Sequence, residues 1–239
     1  IVQVKHVANI ISSIPKHELD KQTAIVLTDE NLLIPLLHSL PDEVQSVNIT
    51  MGYPIKTTLA YSFLERLIEL QKNCRHSADK ATFYHTDAEG ILSHPFITNI
   101  LGTIAGNYHN EIMNQRKIRV GSEFFNENEL LSIIFSHTES WSELSEYILK
   151  VIREICYKSE YKESLDNTQR AYLGLLAENI AATTNCVAKC EIELTTSTFT
   201  SLLRRHLQTI RIPYSGEPLQ GLQVMGILET RNLDFKNVI

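Results

Sequence analysis

The hydrophobic and polar positions of the chain fall into two rhythms. Residues 1–14 (IVQVKHVANIISSI) place Val4, Val7, Ile10, Ile11 and Ile14 at helical spacing, and Pro15 closes the segment. Residues 23–28 (TAIVLT) are a short unbroken apolar run rich in β-branched side chains, the pattern of a strand buried on both faces. Asp29 fits the N-cap of an apolar helix over residues 32–40. Residues 47–50 (VNIT) predict a second strand and Gly52-Tyr53-Pro54 a turn. Thr57 or Thr58 then caps a long amphipathic helix over residues 59–71, with Leu59, Phe63, Leu67 and Leu70 on one face. Strands alternating with helices across short loops make an α/β layer with a parallel sheet.

The alternation stops near residue 85. Up to about residue 190 the apolar spacing is helical, over residues 91–101, 126–136, 141–157 and 168–186, which predicts an all-helical block. Residues 123–146 hold six acids and no Lys or Arg, the composition of a solvated face. The α/β rhythm then returns. Residues 199–208 predict an amphipathic helix, 209–213 a short strand, Ser215-Gly216-Glu217-Pro218 a turn, 222–228 a buried strand, and 237–239 the start of another. The expected fold class is therefore α/β: a parallel sheet built from residues 1–84 and 191–239, interrupted by an all-helical insertion over residues 85–190.

Composition narrows the function classes. With 43% hydrophobic and 21% charged residues, 9 Gly and 7 Pro, the 239-residue chain is neither disordered nor low-complexity. Lys+Arg 22 against Asp+Glu 28 gives a net charge of −6, which counts against a stand-alone DNA-binding domain and leaves room for a local basic stripe. No apolar run approaches the roughly 20 residues of a membrane span, and no signal-peptide pattern opens the chain. Cys74, Cys156, Cys186 and Cys190 show no disulfide framework, so free thiols in a reducing cytoplasm are expected. The chain opens on Ile1 and stops at Val238-Ile239 within a strand pattern, which reads as a piece of a longer protein.

Candidate chemistry is sparse. No Gly-Lys-Ser/Thr phosphate loop, no Gly-x-Ser-x-Gly and no acid-pair-plus-Lys nuclease core is present, so no catalytic residue is assigned. Cys186-x-x-x-Cys190 lacks two further close ligands, and His76, His85 and His94 recur at a period of neither helix nor strand. No metal site is therefore expected. The compact basic clusters are Lys72-Arg75-His76 and Arg204-Arg205-His206 with Arg211. Arg204, Arg205 and Arg211 are candidates for phosphate contact along a DNA strand, set against a plain solvated helix face.

Residues 221–239 (GLQVMGILETRNLDFKNVI) resemble motif V of superfamily I helicases of the UvrD/RecB kind. That pattern is an apolar strand ending in Met-Thr, then His, two residues, Lys-Gly-Leu-Glu-Phe and another strand. Val224-Met225 matches the strand end, Arg231 the Lys, Leu233-Asp234-Phe235 the Leu-Glu-Phe, and Val238-Ile239 the next strand. The family's Thr is replaced by Gly226, its His by Leu228 and its Gly by Asn232. Residues 24–28 and 47–71 are similar to the region after motif IV, and residues 90–97 (GILSHPFI) to the inserted helical subdomain called 2B. The combination looks most like AddB-type subunits of bacterial helicase–nucleases, whose helicase fold is inactivated.

The resemblance implies a partial RecA-like second core domain carrying a 2B insertion. It implies a role in DNA double-strand break repair, with single-stranded DNA and an AddA- or RecB-like helicase subunit as partners. Arg231 and Asp234 would be a vestigial nucleotide-coupling pair, and Gly226 would lie against DNA. The parent would carry a PD-(D/E)XK exonuclease with Mg, an iron–sulfur cluster and a helicase-like region of the ATP-binding kind, whereas this stretch would hold no cofactor and no activity alone. The rival reading is a helical protein–protein interaction module on an α/β base, with no nucleic-acid role.

Overall fold

The computed structural model describes residues 2–77, 80–158, 161, 164–190, 193–212 and 221–239. Its strands are β1 (Thr23–Leu27), β2 (Val47–Ile49), β3 (Tyr53–Pro54), β4 (Arg75–Ser77), β5 (Lys80–Tyr84), β6 (Arg119–Gly121), β7 (Arg211–Ile212), β8 (Leu222–Gly226) and β9 (Asn237–Val238). Its α-helices are α1 (Val2–Ser13), α2 (Leu33–Leu37), α3 (Leu59–Asn73), α4 (His85–Leu92), α5 (Pro95–Leu101), α6 (Thr103–Gln115), α7 (Glu129–Ile134), α8 (Trp141–Tyr157), α9 (Asn167–Lys189) and α10 (Thr196–Leu207). These elements form two compact units. A sheet unit joins Ile1–Tyr53 to Arg211–Ile239, and a helical unit runs from Pro54–Ile210.

The sheet unit is an α/β layer around a four-stranded sheet in the order β2-β8-β1-β9. Every pair in it is parallel, with Val224 opposite both Ile25 and Ile49, and Ala24 opposite Val238. Ile25, Leu27, Leu222 and Val224 join Val4 and Ile11 of α1, Leu33 and Leu36 of α2, and Met51 in one core. The alternate residues Ala24, Gln223 and Met225 are buried too, which is why these strands read as continuous runs. Buried Gln223 is satisfied: Asn48 Nδ2 donates to its Oε1 at 2.7 Å, and its Nε2 donates to the Gly221 carbonyl at 2.8 Å. The helix expected over residues 32–40 is shorter, because a 3₁₀ turn over Glu30–Leu32 precedes α2. Asp29 caps that turn, accepting from the Asn31 N–H at 3.0 Å.

In the helical unit, Thr58 Oγ1 caps α3 by accepting from the Tyr61 N–H at 3.2 Å. Phe63, Leu64, Leu67 and Leu70 are the buried side of α3, and Leu144, Ile148, Val151, Ile152 and Ile155 that of α8. Phe83, Phe96, Phe125, Phe135 and Phe199 are all fully buried, with the Phe125 and Phe135 rings stacked at 3.6 Å. The helix expected over residues 91–101 is two helices, since Pro95 opens α5 at a position a helix interior would not tolerate.

The block over residues 85–190 is not all-helical. It contributes β6 to an antiparallel sheet in the order β4-β5-β6, with Phe83 opposite Val120. Strand β4 is exposed at every position, so no buried face marks it in the sequence. The helical unit also begins at Pro54 rather than at residue 85, because α3 packs against α4, α8 and α9. The expected strand at 209–213 is β7, and the expected turn at Ser215-Gly216-Glu217-Pro218 lies outside the described residues. The acids Glu123, Glu127, Glu129, Glu139, Glu143 and Glu146 are all exposed, as a solvated face requires.

Candidate functional site

In open parallel sheets, ligands bind outside the carboxyl ends of the strands. At that edge of the sheet unit, β8 ends on buried Gly226. A Cβ added there would stand 2.5 Å from Glu229 Oε2, so the Glu229 carboxylate occupies the room a larger residue would take. A 3₁₀ turn over Ile227–Thr230 follows and leaves Ile227 and Leu228 exposed at 55% and 71%. Arg231, Asn232, Leu233 and Asp234 are exposed in turn, and Asn232 is left-handed at φ 61°. Arg231 and Asp234 make no ion pair with each other, so the local surface pair that their spacing allows does not form.

The far end of this loop is tied down. Glu18 takes hydrogen bonds from Lys236 Nζ and, at 3.0 Å, from Asn237 Nδ2. Those bonds hold its carboxyl below the usual carboxylate range. The Lys236 and Asn237 N–H groups also donate to the Gln22 carbonyl at 2.9 and 3.1 Å. At the carboxyl ends of β1 and β2, Arg211 Nε donates to Glu30 Oε2 at 3.1 Å, and the Arg211 Cβ packs over Gly52.

The helical unit holds the other basic candidates. Arg204 of α10 grips Glu65 of α3 with Nε at 3.0 Å from both oxygens and one terminal nitrogen at 2.7 Å. Burial and the same carboxylate push the Tyr61 phenol up to about 12. Arg205 is exposed, and His206 Nε2 lies 3.2 Å from Asn179 Oδ1. A crevice of about 290 Å³ is lined by Lys72, Thr196, Ser197, Thr200, Ser201 and Arg204. It brings together one member of each basic cluster, although the two clusters are far apart in sequence. Lys72 is exposed and, among the described residues, has no ion-pair partner.

The hydroxyl row on α10 is not among the candidates that the sequence singles out. Its signal is the spacing of residues 196, 197, 200 and 201, which puts Thr and Ser on one helical stripe. All four cysteines are free thiols. Among the described residues no helix is long and apolar enough to cross a membrane. No protein-family model and no curated protein matches the chain.

Proposed function

We propose that this chain is part of an AddB-like subunit of a bacterial helicase–nuclease that acts in double-strand break repair. In this reading the sheet unit is an inactivated RecA-like second helicase domain, and it serves to hold single-stranded DNA or the partner helicase subunit. The observation that carries the reading is the 226–235 loop. It leaves the carboxyl end of a parallel strand and turns through a left-handed residue at Asn232, where the family pattern has glycine. Asn adopts that conformation more readily than other residues with a side chain, so the departure from the pattern keeps the turn. Gly226, in place of the family's Thr, is matched by the Glu229 carboxylate filling the same space.

The exposed loop offers one cation, Arg231, beside apolar Ile227 and Leu228, a combination suited to phosphate and to the apolar faces of sugar and base. In the helical unit, taken by itself, Lys72 is an exposed cation beside hydroxyl groups with no ion-pair partner among the described residues. With no Gly-Lys-Ser/Thr loop in the chain, nothing here cradles a nucleotide's phosphates in the P-loop manner.

The test is fluorescence anisotropy of a labelled single-stranded oligonucleotide at about 50 and about 200 mM salt, where phosphate contacts weaken steeply. Binding is expected at the lower salt and should weaken at the higher. Arg231→Ala and Lys72→Ala should each weaken it and reduce the salt dependence by about one contact's worth. Absence of binding at both salt concentrations would remove the nucleic-acid reading and leave the protein–protein interaction module in its place, and binding that ignores both substitutions would move the contact away from Arg231 and Lys72.

A further inference from the structure

The loop between α7 and α8 faces the exposed edge strand β4, and three metal-ligating side chains meet there. His76 of β4, His137 and Glu139 each offer one ligand atom, and these atoms all lie within 4.8 Å of one another. His76 Nδ1 is 3.9 Å from Glu139 Oε1, and the His76 and His137 rings stack with centroids 4.6 Å apart. His137 Nδ1 is buried and, among the described residues, has no hydrogen-bond partner, an unusual state for a ring nitrogen in a folded protein. Two imidazoles stacked beside a carboxylate, with one nitrogen unsatisfied, are poorly explained by packing alone.

The supporting frame is fixed from both sides. Gln71 at the end of α3 donates from Nε2 to the Ser136 carbonyl at 2.7 Å, and its Oε1 accepts from Thr138 Oγ1 at 3.1 Å. Ser140 caps α8 by accepting from the Glu143 N–H at 3.2 Å, and the Glu143 carboxylate accepts from the Glu139 N–H at 2.9 Å. Tyr147 holds the end of α7 by donating to the Ile134 carbonyl at 2.7 Å. Thr138 is therefore committed to α3, while its neighbours His137 and Glu139 converge on His76. Such a held backbone is what a metal site needs beneath its ligands.

We infer that His76, His137 and Glu139 form a binding site for a divalent transition-metal ion of the zinc type. Two imidazoles and one carboxylate are a donor set that such ions favour, and three protein ligands leave a fourth position for water. Tetrahedral bonds of about 2.0–2.1 Å put ligand atoms about 3.3 Å apart, so the observed spacing has to close by up to about 1.5 Å. His76 and Glu139 are exposed and free to make that adjustment by side-chain rotation. The ion would tie the β4 edge to the α7–α8 loop. The inference concerns the helical unit alone and does not depend on the DNA-binding reading.

The test uses the full chain, stripped with a chelator and titrated with zinc chloride by calorimetry. Cobalt(II) absorption reports the coordination geometry. One equivalent is expected to bind, with a tetrahedral cobalt spectrum. Since losing a ligand's supporting contact alone costs about ten- to a hundredfold in affinity, His76→Ala and Glu139→Gln should each cost at least about tenfold. Both replace exposed side chains, so their metal-free melting curves should match the parent chain and show that the fold survives. Cys186→Ser/Cys190→Ser removes the exposed thiol pair at the end of α9 and should leave binding unchanged. Absence of binding would overturn the site, as would binding that persists in His76→Ala and Glu139→Gln, or binding lost with the two thiols.

Discussion

His94 shows what a single side chain does in this chain. Its Nδ1 accepts from the Phe96 N–H at 3.2 Å and caps α5, so the ring proton sits on Nε2 and donates to Ser62 Oγ at 3.0 Å. The ring packs 4.9 Å from Phe63 and 5.2 Å from Phe96 and is only 6% exposed. Burial, reinforced by the Arg66 charge, lowers its pKa from 6.5 to about 4. The unfolded chain therefore takes up this proton first as pH falls. The stability tied to neutral His94 is fully present above pH 6.5 and is lost progressively as pH drops towards 4. The shift corresponds to at most about 3 kcal/mol. Asn keeps an acceptor for the cap and cannot titrate, so in His94→Asn this part of the acid loss should disappear. Urea unfolding at about pH 7 and about pH 4.5 checks it, and an equal acid loss in both proteins would refute the assignment. Arg204 yields a second prediction at this scale. Because it is committed to Glu65, Arg204→Ala should destabilise the helical unit by about 1–2 kcal/mol, while Arg205→Ala, exposed, should change stability by less than about 0.5 kcal/mol.

Among the elements, β8 depends most on one residue at its start. Gly221 has φ 79°, and a Cβ there would lie 2.4 Å from the Ser46 carbonyl oxygen. Its N–H donates to Asp20 Oδ1 at 2.7 Å, and the next N–H, of Leu222, donates to the Ser46 carbonyl at 3.0 Å. The Ser46 backbone blocks the space as well as its hydroxyl, and backbone cannot rotate away, so Gly221→Ala should cost at least about 2 kcal/mol and loosen β2 from β8. A melting curve of that variant within error of the parent would show that the register does not depend on this turn. Strands β1 and β8 were legible because two buried faces make an unbroken apolar run, and α3 and α8 because one apolar stripe repeats at 3.6 residues. The sheet of β4, β5 and β6 was not legible. Only Ala81, Phe83 and Val120 point inward, and that is too few positions to establish a period. The convergence of Lys72 with Arg204, and of His76 with His137 and Glu139, was hidden for a different reason: long-range packing creates it, and no spacing along the chain encodes it. The left-handed turn in the 226–235 loop left a trace, since Asn232 is a residue type that accepts it.

On the scale of the whole molecule, the two units differ in how the chain builds them. The sheet unit needs both ends of the chain, because β1 lies between β8 and β9 and no strand of this sheet comes from Pro54–Ile210. The helical unit is one continuous stretch with its own core, in which Phe63, Phe83, Phe96, Phe125, Phe135 and Phe199 are fully buried. A stretch of that size with a closed core meets the requirements of an autonomous domain. Expressed alone, residues 54–210 should give a helical circular dichroism spectrum and a single cooperative unfolding transition. A broad, non-cooperative melt would instead mean that the core of this unit requires the sheet unit. The same fragment separates the two basic surfaces. It keeps Lys72 and its hydroxyl-lined crevice and lacks Arg231 with the whole 226–235 loop. If single-stranded DNA is held chiefly by the loop, the fragment should lose most of the affinity measured for the full chain. If the crevice dominates, the fragment should retain that affinity, and Lys72→Ala within it should weaken binding as it does in the full chain. The net charge of −6 makes this contrast informative, because no general excess of cations exists to bind nucleic acid in the absence of a specific surface.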